Sequence, residues 1–210
     1  MVRKNNTSVI EEIFNAITHG VGVILGIIGL VVLLSLANKN GNAVKSIAFS
    51  IFGASLILAY LSSAFYHSFY FTRARKLFKI MDHSAIFLLI AGTYTPFTLI
   101  TFKGQHGMIL FCLIWSLAIS GIILKAFYVH KFKKLSVALY LFMGWLIIFE
   151  APLLKILPLG AIILLGLGGL SYTFGVIFYL FKKLPFHHVI WHIFVLCGSA
   201  LHFFALFYLL

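Results

Sequence analysis

Residues 187–209 read HHVIWHIFVLCGSALHFFALFYL. The stretch carries no Lys, Arg, Asp or Glu, and at 1.5 Å per residue it is long enough to cross a hydrocarbon layer ~30 Å thick as a helix. Its first turns nonetheless hold His187, His188 and His192. Titratable groups are costly inside a membrane, roughly 2.5–3.5 kcal/mol for a charged residue on insertion scales, so they usually line a site or a pathway. This one segment predicts a membrane-spanning helix and marks where chemistry sits on it.

The rest of the chain agrees. Of 210 residues, 62% are hydrophobic and 10% charged, with a mean hydropathy of +1.11. A water-soluble domain could not hide that much apolar surface. Seven apolar stretches are predicted to span, at 13–36, 46–70, 82–102, 107–128, 135–153, 157–181 and 187–209. They nearly consume the sequence, leaving short connections and no Pro/Ser-rich linker. The expectation is an all-α integral membrane protein forming a single domain over residues 1–210.

A formal net charge of +12 would suit a nucleic-acid binder, but the positions of the basic residues exclude one. Arg3 and Lys4 precede span 1; Arg73, Arg75, Lys76 and Lys79 join spans 2 and 3; Lys125, Lys131, Lys133 and Lys134 join spans 4 and 5; Lys182 and Lys183 join spans 6 and 7. The opposite loops hold Lys39, Lys45, Lys103 and Lys155. Twelve of the sixteen Lys and Arg therefore lie on one side, which under the positive-inside rule puts the N-terminus in the cytoplasm and the C-terminus outside. The charge reads as a topology signal with contact to anionic headgroups. The first apolar run follows Glu11 and Glu12 rather than a basic region and is too long for a signal-peptide core, so span 1 is expected to remain in the mature protein. Cys112 and Cys197 fall inside spans and are expected to be packed thiols rather than a disulfide or metal pair.

This topology assigns the polar residues a depth. Ser63 and His67 end span 2, Asp82 opens span 3, and His187, His188 and His192 open span 7, all in the cytoplasmic half. Residues four apart share a helix face, so His188 and His192 can converge on one ion, and Ser63 lies one turn above His67. His67, His188 and His192 are the expected metal ligands. Three neutral imidazoles with an open fourth position describe a catalytic rather than a structural zinc site. Asp82 then holds the metal's water, accepts its proton or ligates directly, and spacing does not separate these. Ser63 suits an outer donor or a group that polarises a carbonyl, against a plain helix-packing role.

The string Glu12-x-x-Asn15-x-x-x-His19, the pair Ser63-x-x-x-His67, Asp82 and the pair His188-x-x-x-His192 together resemble the hemolysin III family. This is the bacterial branch of the progestin and adipoQ receptor superfamily, which includes the adiponectin receptors. The resemblance implies seven helices, an intracellular N-terminus, a bacterial inner-membrane location and a zinc ion toward the cytoplasmic side. It matches His67, His188 and His192 to the zinc ligands, Asp82 to the carboxylate that holds the zinc's water and Ser63 to the serine beside it. The wider superfamily is similar to alkaline ceramidases, which implies hydrolysis of a lipid amide. The segment from His67 to Asp82 is shorter than in the receptor branch, and His83 follows Asp82, which favours the bacterial branch.

Glu12, Asn15 and His19 are read as supporting residues at cytoplasmic depth. His202, about 15 Å along the helix from His192, is read as a buried hydrogen-bonding histidine beyond reach of the ion. Thr93, Tyr94, Thr95 and Pro96 predict a kink within span 3. Gly22, Gly26, Gly166, Gly168 and Gly169 predict close helix approach, and Glu150 an interfacial position. Two classes of function stay open: a zinc-dependent hydrolase with a lipid substrate, and a non-enzymatic sensor, transporter or cytolysin with structural zinc. The outer half is poor in polar residues, which argues against a transport path across the midplane.

Overall fold

The computed structural model describes residues 8–39, 41–102, 104–129, 131–150 and 155–210. Arg3, Lys4 and Lys103 of the charge pattern, and residues 151–153 of the fifth predicted span, lie outside the described residues. Among those described, regular structure is entirely helical. The elements are α1 (Val9–Lys39), α2 (Ala43–Ser68), α3 (Arg75–Pro96) with a π-helical turn at Phe97–Thr101, α4 (Gln105–Tyr128), α5 (Lys133–Trp145) with a 3₁₀ turn at Leu146–Glu150, α6 (Leu159–Leu180), and α7 (His187–Ala205) with a 3₁₀ turn at Leu206–Leu209.

Six of these are long and apolar enough to cross a membrane: α1, α2, α3 with its π turn, α4, α6, and α7 with its 3₁₀ turn. The fifth, at 13 residues, is not among them. Its early end has a visible cause. The Tyr94 hydroxyl, reaching across from α3, lies 2.9 and 3.0 Å from the Met143 and Gly144 carbonyls and accepts from the Ile147 amide at 3.0 Å. A side chain thus takes over backbone groups that a continuing helix would pair internally.

The bundle is apolar on its flanks as well as in its core. Large aliphatic and aromatic side chains such as Ile24, Phe127 and Phe174 are exposed on its flanks, the pattern that lipid rather than water tolerates. Enclosed within are α2 and α3, whose most apolar windows are 56% and 61% buried, against 17–33% for the other four. Phe49, Phe52, Leu56 and Tyr60 of α2 pack in one cluster with Phe87, Leu89, Ala91 and Tyr94 of α3 and Ile114 and Ala118 of α4. Helix α1 packs on α2 and also on α7, while α6 packs on α7.

Close approach holds the central pair together. A Cβ at Gly92 would land on the Ser55 side chain, so α2 and α3 touch where glycine leaves room. Gly92→Ala should therefore cost about 1–3 kcal/mol by overpacking, read as a lowered melting temperature in detergent; an unchanged melting temperature would show that the pair yields freely. Gly22 is similarly tight against Tyr60 and Leu196, Gly26 against Ile57, Gly168 against His202 and Gly169 against Trp145. Gly166 departs from expectation, since nothing lies within 4 Å of its Cβ position: it faces a cavity.

That cavity, about 220 Å³, lies between α3, α5, α6 and α7 and is lined by Thr93, Tyr94, Trp145, Gly166 and His202 among others. The Thr-Tyr-Thr-Pro segment is thus a cavity wall as well as a kink. Pro96 cannot donate to the Gly92 carbonyl, and the helix passes into its π turn directly after it. Thr98 bonds back to the Tyr94 and Thr95 carbonyls at 3.2 and 3.0 Å, and Trp115 donates to the Thr95 hydroxyl at 3.1 Å. His202 donates from Nε2 to the Leu165 carbonyl at 3.1 Å, the hydrogen-bonding role expected of it, although its side chain is half-buried. The cysteines correct the sequence reading. Cys112 and Cys197 are both free and exposed, because their positions fall on the outer faces of α4 and α7.

Candidate metal centre

The last turn of α2 and the first turns of α7 meet at one end of the bundle. His67, His188 and His192 each offer a ring nitrogen, and these atoms lie within 4.8 Å of one another. The ring centroids are 5.0, 5.0 and 4.7 Å apart. His67 and His192 are buried and His188 is half-buried.

Whether such a triad suits a metal depends on which nitrogen each ring leaves free. His67 Nδ1 lies 2.6 Å from Glu12 Oε2; facing a carboxylate, it carries the proton and Nε2 keeps its lone pair. That Nε2 is buried and has no hydrogen-bond partner. His192 Nδ1 lies 3.2 Å from the Asn15 carbonyl and 3.0 Å from the Thr18 hydroxyl, and that hydroxyl is itself placed to donate to the Phe14 or Asn15 carbonyl. A carbonyl accepts only, so His192 too presents Nε2. Outer partners of this kind fix tautomer and ring orientation in metal sites. The donor set therefore fits a metal ion that binds imidazole.

Helix α1 supplies those outer partners. Glu12, Asn15, His19, Gly22 and Gly26 form its buried face. Glu11 reaches across as well, accepting the Phe186 amide at 3.0 Å just before α7 begins, while Phe14 meets the Phe186 ring at 5.7 Å. Phe186 has φ 53°, a left-handed conformation unusual for a bulky residue. Helix α1 thus pins the start of α7 and with it the two α7 histidines. Asn15 acts through its backbone carbonyl rather than its amide. His19 stacks on His192 at 3.6 Å and 10°, and neither of its ring nitrogens has a hydrogen-bond partner. Thr18 was not singled out by spacing. Its signal was available, since position 18 continues the stripe of 12, 15 and 19 on one face.

Asp82 does not open its helix, contrary to the sequence reading. Helix α3 begins two turns earlier at Arg75, its first turns carrying Arg75, Lys76 and Lys79. Asp82 lines a cavity of about 40 Å³ together with His19, Ser63, His188 and His192, room for a few water-sized groups. Ser63 and Asp82 share this wall, and His83 Nε2 lies 3.9 Å from Asp82 Oδ2. All eight residues expected at the site are therefore gathered at one end of α1, α2, α3 and α7. Tyr179 and Trp191, which also line the cavity, had no motif to reveal them.

The Glu12 contact gives a direct test. Glu12→Ala should weaken metal binding about 10–100-fold, the usual worth of an outer-shell carboxylate on a ligating histidine, while Glu12→Gln, which keeps an acceptor oxygen, should weaken it less. Competition with a chromophoric chelator would measure both. Equal affinity in wild type and Glu12→Ala would remove Glu12 from the centre.

Comparison with known proteins finds relatives over nearly the whole chain. A family model described as Haemolysin-III related matches residues 7–203. The chain is 53% identical over 202 residues to "Hemolysin-3" of Bacillus cereus, covering 95% of this chain and 92% of that protein. It is 52% identical over 200 residues to "Hemolysin-3 homolog" of Bacillus subtilis (strain 168), covering 94% of each. At 28% identity over 207 residues it is similar to "Monocyte to macrophage differentiation factor" of Homo sapiens, covering 93% of this chain and 83% of that protein.

Proposed function

The chain belongs to the haemolysin III family, and from that premise and its buried triad we propose that it is a zinc-dependent membrane hydrolase acting on an amide or ester bond of a lipid. The observation that carries this reading is the pairing of three convergent ring nitrogens with a carboxylate and a hydroxyl on the wall of one small cavity. An all-imidazole set with room for a further ligand matches the donor pattern of catalytic zinc.

When bound, zinc supplies Lewis acidity, polarising a carbonyl and making a neighbouring water easier to deprotonate. The protein's own groups do the rest. Asp82 is the base: its carboxylate faces the cavity and takes the proton of the attacking water. Ser63, beside it on the same wall, is the hydroxyl that can donate to that carboxylate. Glu12 and the Asn15 carbonyl hold His67 and His192 in the tautomer that leaves Nε2 free.

The names of the Bacillus relatives favour a second reading, in which the protein is a non-enzymatic sensor, transporter or cytolysin and the metal is a staple. Lipid extracts of cells carrying the wild type or Asp82→Asn separate the two. The hydrolase reading expects a lipid depleted by the wild type, with its cleavage products enriched; identical lipid profiles would end it.

Seven spans with a cytoplasmic N-terminus complete the proposal, α5 and its 3₁₀ turn making the fifth crossing. Reporter fusions near Arg75 and Lys133 should read cytoplasmic and a fusion after Leu210 exterior, as the basic-residue split requires. A cytoplasmic C-terminal signal would contradict the seven-span count.

A further inference from the structure

Helix α1 is held to the bundle in two ways along its length. From Gly22 onward it packs by close contact. Gly22 is tight against Tyr60 and Leu196 and Gly26 against Ile57, and Leu33 and Ala37 are fully buried in one cluster with Phe49 and Phe52. Over its first turns, residues 9–19, the buried side chains are instead Glu12, Asn15 and His19, while Ile10, Ile13, Phe14 and Ile17 are exposed on the flank. Burial of apolar side chains drives no association between helices in lipid, so these turns depend on their polar contacts.

Those contacts converge on the metal ligands. Glu12 meets His67 Nδ1 at 2.6 Å, and the Asn15 carbonyl and Thr18 hydroxyl meet His192 Nδ1 at 3.2 and 3.0 Å. His19 stacks on the His192 ring. Glu11 and Phe14 meet Phe186, the residue just before α7. The helix and the ion thus grip the same two rings by opposite nitrogens, α1 at Nδ1 and the metal at Nε2. Withdrawing the ion leaves His67 Nε2 buried with no hydrogen-bond partner among the described residues. A buried polar atom without a partner is costly; the ring relieves that cost by turning, and a turned ring gives up Glu12.

We propose that residues 9–19 of α1 form a metal-dependent latch, docked while His67, His188 and His192 hold their ion and released when it is withdrawn, with the part from Gly22 onward staying packed. Linkage requires the coupling: whatever α1 adds to metal affinity, the metal adds to the docking of α1. Because Glu11 and Phe14 hold Phe186, release also frees the start of α7. The inference rests on the triad holding a metal and is independent of hydrolysis.

Distances between spin labels, measured by double electron–electron resonance on the detergent-purified full chain with zinc or with chelator, test this. Cys112→Ser/Cys197→Ser removes the exposed native thiols. One label pair goes on Ile10→Cys and Leu77→Cys, exposed positions of α1 and α3, and a control pair on Val31→Cys and Leu159→Cys, exposed positions of α1 and α6. Zinc content is assayed on the same samples. Chelation should add a longer-distance population to the first pair, the docked-to-released ratio falling about 10–100-fold, the reciprocal of what an outer-shell carboxylate adds to metal affinity. Added zinc should reverse it, the control pair should not change, and Glu12→Ala with zinc bound should show part of the released population. A first-pair distance unchanged after verified loss of zinc would overturn the latch and leave the metal centre standing. Equal changes in both pairs would make the ion a staple of the whole bundle and overturn the latch as well. A chain that takes up no zinc would overturn the centre itself, a failure that the zinc assay reads separately from the distances.

Discussion

Alanine at His192 is expected to strip the metal from this protein. Structural zinc sites with four ligands bind with apparent free energies of about 10–16 kcal/mol, so one ligand is worth roughly 3–4 kcal/mol, or ~10²–10³-fold in affinity. His192 carries more than an average share of the architecture. It is the most buried of the three ligands, its ring is fixed from α1 by Asn15 and Thr18, and it stacks on His19. Metal content after dialysis should fall to background in His192→Ala, with helical content by circular dichroism retained. Because imidazoles bind metal only when neutral, wild-type occupancy should also fall as pH drops through and below the histidine range near ~6.5. A variant that keeps a full equivalent of metal would show that another set of residues holds it.

Asp82→Asn should do the reverse, leaving metal in place while removing turnover. The triad gathers without Asp82, and an asparagine oxygen can still accept from Ser63, so the centre should assemble. An amide cannot take up a proton, and loss of a positioned general base costs about 10²–10⁴ in rate. Ser63→Ala should be milder, since ligands and base both remain. Turnover of the lipid species depleted by the wild type is the readout. If Asp82→Asn turns over normally with metal bound, the carboxylate is not the base and the proposed chemistry fails.

The two predictions differ in what the sequence could supply. The triad was legible because a histidine in a charge-free helix has few bland explanations, and because the clustering of twelve basic residues set the three histidines at one depth before any contact was known. Helix α1 was legible only as a list. Glu12, Asn15 and His19 share a face by spacing, but nothing in the chain says that Glu12 meets His67, fifty-five residues away, or that Asn15 works through its carbonyl. Thr18 was missed because Thr in a helix commonly bonds to its own preceding turn, which it also does here.

Boundaries were read less well than spans. Hydropathy began the third span at Asp82, but the helix starts at Arg75; lysine and arginine lower hydropathy while remaining good helix formers. The fifth span ends as a regular helix at Trp145 because of the Tyr94 hydroxyl, a contact across some fifty residues that no local pattern encodes. The cysteines erred for a different reason. Membership of a span does not fix which way a residue faces, and a helix apolar all round carries no stripe to separate lipid from core.

X-ray absorption at the zinc edge on the purified wild-type protein tests the central claim most directly. The account predicts one zinc per chain with a nitrogen and oxygen shell at ~2.0–2.1 Å and the outer scattering of imidazole rings, lost in His67→Ala/His188→Ala/His192→Ala. A sulfur shell at ~2.3 Å, or a full zinc signal surviving in the triple variant, would contradict it.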